Sequence, residues 1–141
     1  MDVSALQRQR LIRLARAAMK HAYAPYSNFH VGAAILLRDG RIFSGCNVEN
    51  ASYGLTICAE RNAIFSAVAQ SSKKPEIIAA VVVNHRGIPC SPCGACRQVM
   101  AEFGPRAIVW YPGPAGFVQR TMQELLVDGF SLCPNEPDAT A

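Results

Sequence analysis

Hydrophobic residues follow two spacings along the chain, one typical of helices and one typical of buried strands. Near the N-terminus they recur every three or four positions, which predicts one apolar helix face made by Leu11, Leu14, Ala15, Ala18, Met19 and Ala22. Ser4 and Gln7 have the spacing of a capping box at the start of that helix. Residues 31–37 then form a continuous apolar run, and an Asp-Gly turn followed by residues 42–45 predicts a β-hairpin.

Beyond the hairpin, predicted helices alternate with predicted strands. In chain order the pattern indicates a polar loop at 46–57, a helix at 59–70, a strand at 77–83, a loop at 84–94, a helix at 95–103, a strand at 107–111, a turn at 112–116, and a short helix capped by Thr121 and Glu124 that ends at Val127. This alternation is typical of an α/β protein, a three-layer α/β/α sandwich with a mixed sheet. The 141 residues predict one domain over 1–141, with a loose tail after about residue 132.

Composition and charge narrow the classes of protein to which this chain can belong. Half of the residues are hydrophobic and 17% are charged, which excludes a disordered chain. The net charge of +4 is small for a nucleic-acid-binding protein. Every apolar window near the N-terminus is interrupted by an arginine, at Arg8, Arg10, Arg13 or Arg16. We therefore expect no secretory signal, no membrane partner and a cytoplasmic protein, whose six cysteines stay reduced and favour metal binding over disulfides.

Three of these cysteines lie where helices are predicted to begin. Cys93 and Cys96 have the spacing of metal ligands, and Cys58 opens the preceding predicted helix. Helix N-termini stabilise thiolates, and three thiolates form a soft ligand set for zinc. A Cys-x-x-Cys pair alone also occurs in redox sites and zinc knuckles. Cys90 adds a second alternative, a closed four-thiolate structural site. Glu60 favours an open catalytic site, because an activated water needs a proton acceptor beside it.

Cys58-Ala59-Glu60 combined with Pro92-Cys93-Gly94-Ala95-Cys96 is the pattern of the zinc deaminases. Four ordered blocks extend this match and resemble the small cytidine deaminases: APYSNFHVGAA at 24–34, GCNVENASY at 45–53, CAER at 58–61 and CGACRQ at 93–98. The resemblance runs from about Tyr23 to Phe130. It implies a cytidine deaminase-like fold, one Zn²⁺ per subunit on Cys58, Cys93 and Cys96, and hydrolysis of cytidine and 2′-deoxycytidine to the uridines with release of ammonia, as in pyrimidine salvage.

Two residues beside the cysteines have chemical roles in this reading. Glu60 is the hypothetical proton shuttle, which takes a proton from water, delivers it to ring N3 and passes a second proton to the leaving amine. Three thiolates on a divalent zinc leave a net charge of −1, which weakens the acidity of the metal. The resemblance implies that Arg61 donates a hydrogen bond to a ligand sulfur and offsets part of that charge.

The resemblance also implies which residues bind the substrate. Phe29 would pack on the base, Asn47 and Glu49 would hydrogen-bond the ribose 3′-hydroxyl, and the backbone of Ala59 would contact the base edge. A carboxylate accepts a hydrogen bond from a hydroxyl and repels a phosphate. Glu49 therefore predicts free nucleosides as substrates, in preference to nucleotides or polynucleotides.

Small deaminases of the three-cysteine type are homotetramers, so the resemblance implies pockets completed by neighbouring subunits. Phe130 would reach into another subunit's site, and Tyr53 would lie at the subunit boundary. The chain departs from the family pattern at 127–129, where a proline usually follows the two leucines.

The sequence is also compatible with other functions. The alternatives are a deaminase of a related cytosine compound such as blasticidin S, a polynucleotide deaminase, and a zinc-stabilised module without enzymatic activity. Cys46, Cys90 and Cys133 are most simply unligated thiols. None of the three histidines has ligand spacing: His21, His30 and His85.

Overall fold

Four helices and five strands alternate along residues 2–132, the part of the chain that this computed structural model describes. In chain order they are α1 (Ala5–Met19), β1 (Val31–Leu37), β2 (Ile42–Cys46), α2 (Ala59–Ala69), β3 (Ile77–Asn84), α3 (Gly94–Phe103), β4 (Ile108–Gly113), β5 (Gly116–Thr121) and α4 (Met122–Leu125), with one 3₁₀ turn at Tyr53–Leu55. Within this range no helix combines the length and the apolar character needed to cross a membrane.

The strands form one mixed sheet in the order β2-β1-β3-β4-β5. β3 and β4 are parallel and are joined by α3, whereas the other neighbouring strands are antiparallel. β1 and β3 are paired from Val31 and Asn84 at one end to Leu37 and Ile77 at the other. The helices α2 and α3 both begin at the end of the sheet where β1 starts and β3 finishes, so their N-termini can meet there.

Successive residues of β1 pack against opposite helical layers, because side chains alternate across a strand. Leu36 packs with Leu11 of α1 on one face. Ile35 packs with Ile64 of α2 and Met100 of α3 on the other face. Burying an aliphatic side chain of this size contributes about 1.5–3 kcal/mol. The predicted three-layer α/β/α sandwich with a mixed sheet is confirmed.

Two glycines allow the helical layers to approach the sheet closely. A Cβ atom at Gly32 in β1 would overlap the carbonyl oxygen of Ala15 in α1. A Cβ atom at Gly45 in β2 would lie 2.5 Å from the backbone nitrogen of Ala63 in α2. Since these neighbours are backbone atoms, they cannot move aside without shifting a helix. Gly45 therefore determines how close α2, with its N-terminal residues, lies to the sheet.

Most of the predicted elements are present, and the clearest difference is at β5. Ser4 and Gln7 form both hydrogen bonds of the capping box, and the hairpin turns at Asp39-Gly40, where Gly40 has a φ of 90°. The turn predicted at 112–116 is present but confined to 114–115, because β4 continues to Gly113, which pairs with Gly116 of β5, a strand that the pattern did not predict. β5 is an edge strand with half-buried and exposed positions, so it lacks the apolar run that predicts a buried strand.

The N-terminal helix also ends earlier than its apolar spacing suggested. α1 ends at Met19, and Ala22 lies beyond it. Leu11 and Ala15 are the buried residues of its predicted face. The tail predicted to be loose after about residue 132, with Cys133, lies outside the described residues.

Candidate metal centre and active site

Three thiols meet where α2 and α3 begin. Cys58 is the N-cap of α2, Cys93 is the N-cap of α3, and Cys96 lies in the first turn of α3. The sulfurs of Cys58 and Cys93 are 3.8 Å apart, and all three sulfurs lie within 4.8 Å of one another. Two sulfurs bound tetrahedrally to one zinc are about 3.8 Å apart, since each Zn–S bond is about 2.3 Å. The donor set and its spacing therefore fit zinc.

Helix N-termini and hydrogen bonds stabilise negative charge on these sulfurs. The backbone N–H of Cys96 donates to Cys93 Sγ over 3.5 Å. A hydrogen bond from the Cys96 thiol, and further ones from Arg61 and Cys93, lower the pKa of Cys58 to about 5 against the opposing effect of burial. The same contact with Cys58, together with burial, raises the pKa of Cys96. The hydrogen bond between Cys58 and Cys96 therefore favours the thiolate on Cys58 over that on Cys96.

Glu60 is a buried carboxyl beside the three sulfurs. It is the second residue of α2 and only 5% exposed. Burial raises its pKa to about 7, and the negative charge of Cys58 acts in the same direction. A hydrogen bond from its own backbone N–H opposes this rise, as do a hydrogen bond with Cys96 and the charge of Arg61. A carboxyl with a pKa near neutrality can both accept and release a proton.

Arg61 lies against the metal ligands. Its Nη2 donates to Cys58 Sγ over 3.4 Å, and this hydrogen bond is the main cause that raises the pKa of the guanidinium. Its Nε is buried and has no hydrogen-bond partner among the described residues. The guanidinium therefore brings one fixed positive charge to a cluster that is negative when its thiols ionise.

Cys90 lies near the three thiols but outside their cluster. Among residues 2–132, the one group of three or more potential ligands close enough to share a metal ion is Cys58, Cys93 and Cys96. The backbone N–H of Cys90 instead donates to the carbonyl of Pro112 at the end of β4, over 2.9 Å. Burial raises the pKa of the Cys90 thiol, and the nearby charges of Glu60, Cys58 and Cys93 add to the rise. This geometry favours the open three-thiol site over a closed four-thiolate site.

Asn47 and Glu49 brace the loop that precedes β1. Asn47 is buried; its Oδ1 accepts from the backbone N–H of Val31 over 2.8 Å, and its Nδ2 donates to the carbonyl of Phe29 over 2.7 Å. Glu49 Oε1 accepts from the backbone N–H groups of Tyr26 and Ser27, at 2.9 and 3.1 Å. Hydrogen bonds, first from the Ser27 hydroxyl, lower the pKa of Glu49. Each side chain keeps further hydrogen-bonding capacity, since a carboxylate has a second oxygen and an amide nitrogen a second proton.

The remaining predicted site residues are divided between core and surface. Ala59 is fully buried and packs with Ala33 and Val82. Tyr53 is 75% exposed and lines a cavity of about 210 Å³ that Glu49 also lines. Phe130 is 72% exposed, and its carbonyl accepts from Gln98 Nε2 over 3.2 Å. The structure thus groups Ala59 with the metal ligands and leaves the two aromatic rings at the surface.

Arg97 is a supporting residue that the sequence reasoning missed. Its guanidinium donates to the carbonyl of Pro92 at 2.7 Å, to Ser91 Oγ at 3.1 Å and to the carbonyl of Leu125 at 3.0 Å. It therefore ties the loop before Cys93 to the end of α4. Its place directly after Cys96 was the one available signal, because two of its three partners are backbone carbonyls that no sequence pattern marks.

The fold and the site place this chain in the class of α/β/α sandwich proteins that hold a metal ion at two helix N-termini. A family model described as the cytidine and deoxycytidylate deaminase zinc-binding region matches residues 6–112. The cytidine deaminase of Halalkalibacterium halodurans is 48% identical over 128 residues, which cover 89% of this chain and 96% of that protein. The chain therefore belongs to the cytidine and deoxycytidylate deaminase family.

A solved structure and a more distant relative agree with this assignment. The crystal structure of cytidine deaminase from Burkholderia pseudomallei matches with a TM-score of 0.79 and 50% identity, covering 86% of this chain and 98% of that one. Blasticidin-S deaminase of Bacillus cereus is 35% identical over 103 residues, which cover 69% of this chain and 74% of that protein. The expected cytidine deaminase-like fold and the zinc-dependent deaminase family are confirmed.

Proposed function

We propose that this protein is a zinc-dependent cytidine deaminase, which hydrolyses cytidine and 2′-deoxycytidine to uridine and 2′-deoxyuridine and releases ammonia. The observation that carries the proposal is the buried carboxyl of Glu60 beside three thiols that fit zinc. A structural zinc site needs no such acid, whereas hydrolysis needs a group that moves protons. The cytidine deaminase relatives support the choice of cytidine over blasticidin S.

The chemistry divides between the metal and the side chains around it. Zinc on Cys58, Cys93 and Cys96 would supply the Lewis acidity that makes water nucleophilic near neutral pH. Glu60 accepts a proton from the water that attacks C4 of the base and delivers it to ring N3. A second proton passes through Glu60 to the amine, which leaves as ammonia. Arg61 reduces the negative charge at Cys58, to which it is hydrogen-bonded over 3.4 Å.

The residues that bind the substrate lie on the loop before β1 and on the segment after β2. Phe29 packs on the pyrimidine, the backbone of Ala59 contacts its edge, and Asn47 and Glu49 bind the ribose 3′-hydroxyl. The carboxylate of Glu49 supports this role, because two backbone hydrogen bonds to Oε1 fix its position beside the loop that holds Phe29. A carboxylate at that position repels a 3′-phosphate and so favours free nucleosides over 3′-nucleotides and polynucleotides.

The assembled enzyme is a cytoplasmic homotetramer of single-domain subunits that acts in pyrimidine salvage. Exposure of Tyr53 and Phe130 supports shared pockets, because the described residues 2–132 leave most of the surface of both rings uncovered. Phe130 reaches into a neighbouring subunit's site, and Tyr53 lies at the subunit boundary. One zinc is bound per subunit.

A substrate panel tests this proposal. The purified protein is incubated with cytidine, 2′-deoxycytidine, cytidine 3′-monophosphate, blasticidin S and a cytosine-containing oligonucleotide, and ammonia release is measured for each. We expect turnover of the two nucleosides and little of the others. Turnover confined to blasticidin S or the oligonucleotide contradicts the proposed substrate. Zinc binding without turnover of any of them contradicts the proposed activity.

A further inference from the structure

We propose that His85 is a positioning residue for substrate binding: its ring nitrogen holds the segment 29–31, and so orients Phe29 for its contact with the base. This inference rests on the proposed function. It concerns a histidine outside the metal cluster, on the loop that follows β3, which has no ligand spacing in the sequence.

The geometry around His30 carries the inference. The backbone N–H of His85 donates to the carbonyl of His30 over 3.0 Å, which continues the β1–β3 ladder by one residue beyond the Val31–Asn84 pair. The backbone N–H of His30 donates back over 3.1 Å, but to Nδ1 of the His85 ring. The ring therefore takes the place that a carbonyl oxygen would hold in a continued antiparallel ladder.

Two side chains together hold the main chain on either side of His30. Asn47 accepts from Val31 N–H and donates to the carbonyl of Phe29, over 2.8 and 2.7 Å. His85 holds both polar backbone groups of the residue between them. Asn47 is buried, whereas His85 is on the exposed side, so removing the His85 acceptor frees one edge of the segment without breaking the other.

Ring contacts connect this clamp to Phe29. The centroids of the Phe29 and His85 rings are 5.9 Å apart, and the Arg86 guanidinium lies 5.7 Å from the Phe29 centroid. Arg86 also donates to the carbonyl of Asn28 over 3.4 Å, and Asn28 has a φ of 53°, in the left-handed region. Residues 85 and 86 thus hold the backbone on either side of Phe29, at His30 and Asn28, and contact its ring.

The clamp does not reach the groups that carry out the proposed chemistry. The metal ligands and Glu60 are positioned by the N-termini of α2 and α3, and none of them belongs to the segment 29–31 or to the residues 85 and 86 that hold it. Loss of the His85 acceptor should therefore weaken substrate binding and leave the chemical step nearly unchanged. A hydrogen bond of this kind contributes about 0.5–1.5 kcal/mol, which corresponds to a KM increase of about twofold to tenfold.

Three substitutions separate the acceptor from the ring. His85→Asn keeps an acceptor, because the asparagine Oδ1 lies where histidine has Nδ1. His85→Phe keeps a ring of similar size but has no acceptor, and His85→Ala has neither. We expect KM for cytidine to rise about twofold to tenfold in the Phe and Ala variants and to stay within about twofold in the Asn variant, with kcat and zinc content near wild type in all three. His21→Ala, at an exposed histidine after α1, is the matched control.

Amide exchange of His30 gives a readout that is independent of turnover. Its N–H should exchange faster in the Phe and Ala variants and remain protected in the Asn variant. If His85→Ala fails to fold, the comparison between the His85→Asn and His85→Phe variants is sufficient to test the inference. Suppose that the wild type is active. If KM is then unchanged in the His85→Phe variant, or if kcat of that variant falls by as large a factor as its KM rises, this inference alone is overturned. A wild type with no turnover of cytidine overturns the proposed function and this inference with it.

Discussion

The two ends of the sheet use charged residues in opposite ways. At the end where β1 starts, Glu60 is 5% exposed and burial raises its pKa to about 7. At the other end, near Leu37 and Ile77, charged side chains form ion pairs in solvent, such as Lys74 with Glu102 at 3.4 Å, both about half exposed. The comparison shows that burial, and not charge itself, makes a group reactive, since water screens the exposed pairs.

The exposed pairs therefore add little to stability, and the buried carboxyl is retained at a cost. An isolated carboxylate loses solvation when it is buried, so it is stabilised only by charged or hydrogen-bonding neighbours. Around Glu60 a backbone N–H contributes most to this stabilisation, followed by Cys96 and Arg61. Four substitutions test this contrast between the two ends, from the largest expected effect to the smallest.

Removing one metal ligand should have the largest effect. Cys93→Ser should lose both bound zinc and activity, because a serine hydroxyl is a much weaker zinc ligand than a thiolate. Cys90→Ser is the matched control from the same loop and should retain one zinc per chain and most of its activity. Zinc content by atomic absorption and turnover of cytidine measure both variants. Loss of zinc in Cys90→Ser would instead support a closed site with four thiolate ligands.

Glu60→Gln should remove activity and keep the metal. The amide has nearly the shape of the carboxyl but cannot accept the proton from water, so turnover should fall about 10²–10⁴-fold. Zinc content should equal that of the wild type, since none of the three ligands changes. Steady-state kinetics and metal analysis on the same sample give the result. Near-wild-type turnover would rule out the shuttle role.

Gly45→Ala should destabilise the fold by placing a methyl group against the backbone of α2. The new Cβ would lie 2.5 Å from the nitrogen of Ala63, and relieving such overpacking costs about 1–3 kcal/mol. Gly54→Ala makes the same change where no atom lies within 4 Å, and should alter stability by about 1 kcal/mol or less. Urea unfolding at one fixed protein concentration compares the two. Equal stabilities would mean that α2 does not depend on the close approach at Gly45.

Glu102→Gln, at the opposite end of the sheet, should have the smallest effect. It breaks the exposed pair with Lys74, and pairs of this kind contribute about 0.5 kcal/mol or less. The same urea unfolding measurement, at low and high salt, should show little change in either condition. Suppose that the free energy of unfolding falls by more than about 1 kcal/mol at low salt and not at high salt. Charge would then matter at the exposed end of the sheet almost as much as at the buried end.

Local features of the fold and the site could be read from the sequence because their partners are close in the chain. The capping box joins residues 4 and 7, and the Cys93–Cys96 pair lies within one turn of α3. Apolar runs likewise predicted β1 and β3, which are buried on both faces. Cys58 and Glu60 lie together at the start of the predicted helix before α3, and the family resemblance implies the same two residues.

Features that depend on distant partners were not predictable in the same way. β5 has a weak apolar pattern and owes its extended form to pairing with β4. Arg97 finds its partners on backbone carbonyls of a loop and of α4. The His85 acceptor meets a residue 55 positions earlier in the chain. None of these contacts has a sequence signature, because backbone groups are the same at every residue.

The sequence by itself determined most of the elements, the family and the identity of the groups able to bind zinc and move a proton. Only the tertiary structure decided which thiols come together: Cys58 and Cys93, 35 positions apart, lie 3.8 Å from each other, while Cys90 is held at β4 through Pro112. The physical reason is that the elements follow from local spacing, whereas a metal centre depends on how closely two helices approach one sheet. That approach depends on packing at residues such as Gly45, which have no reactive side chain.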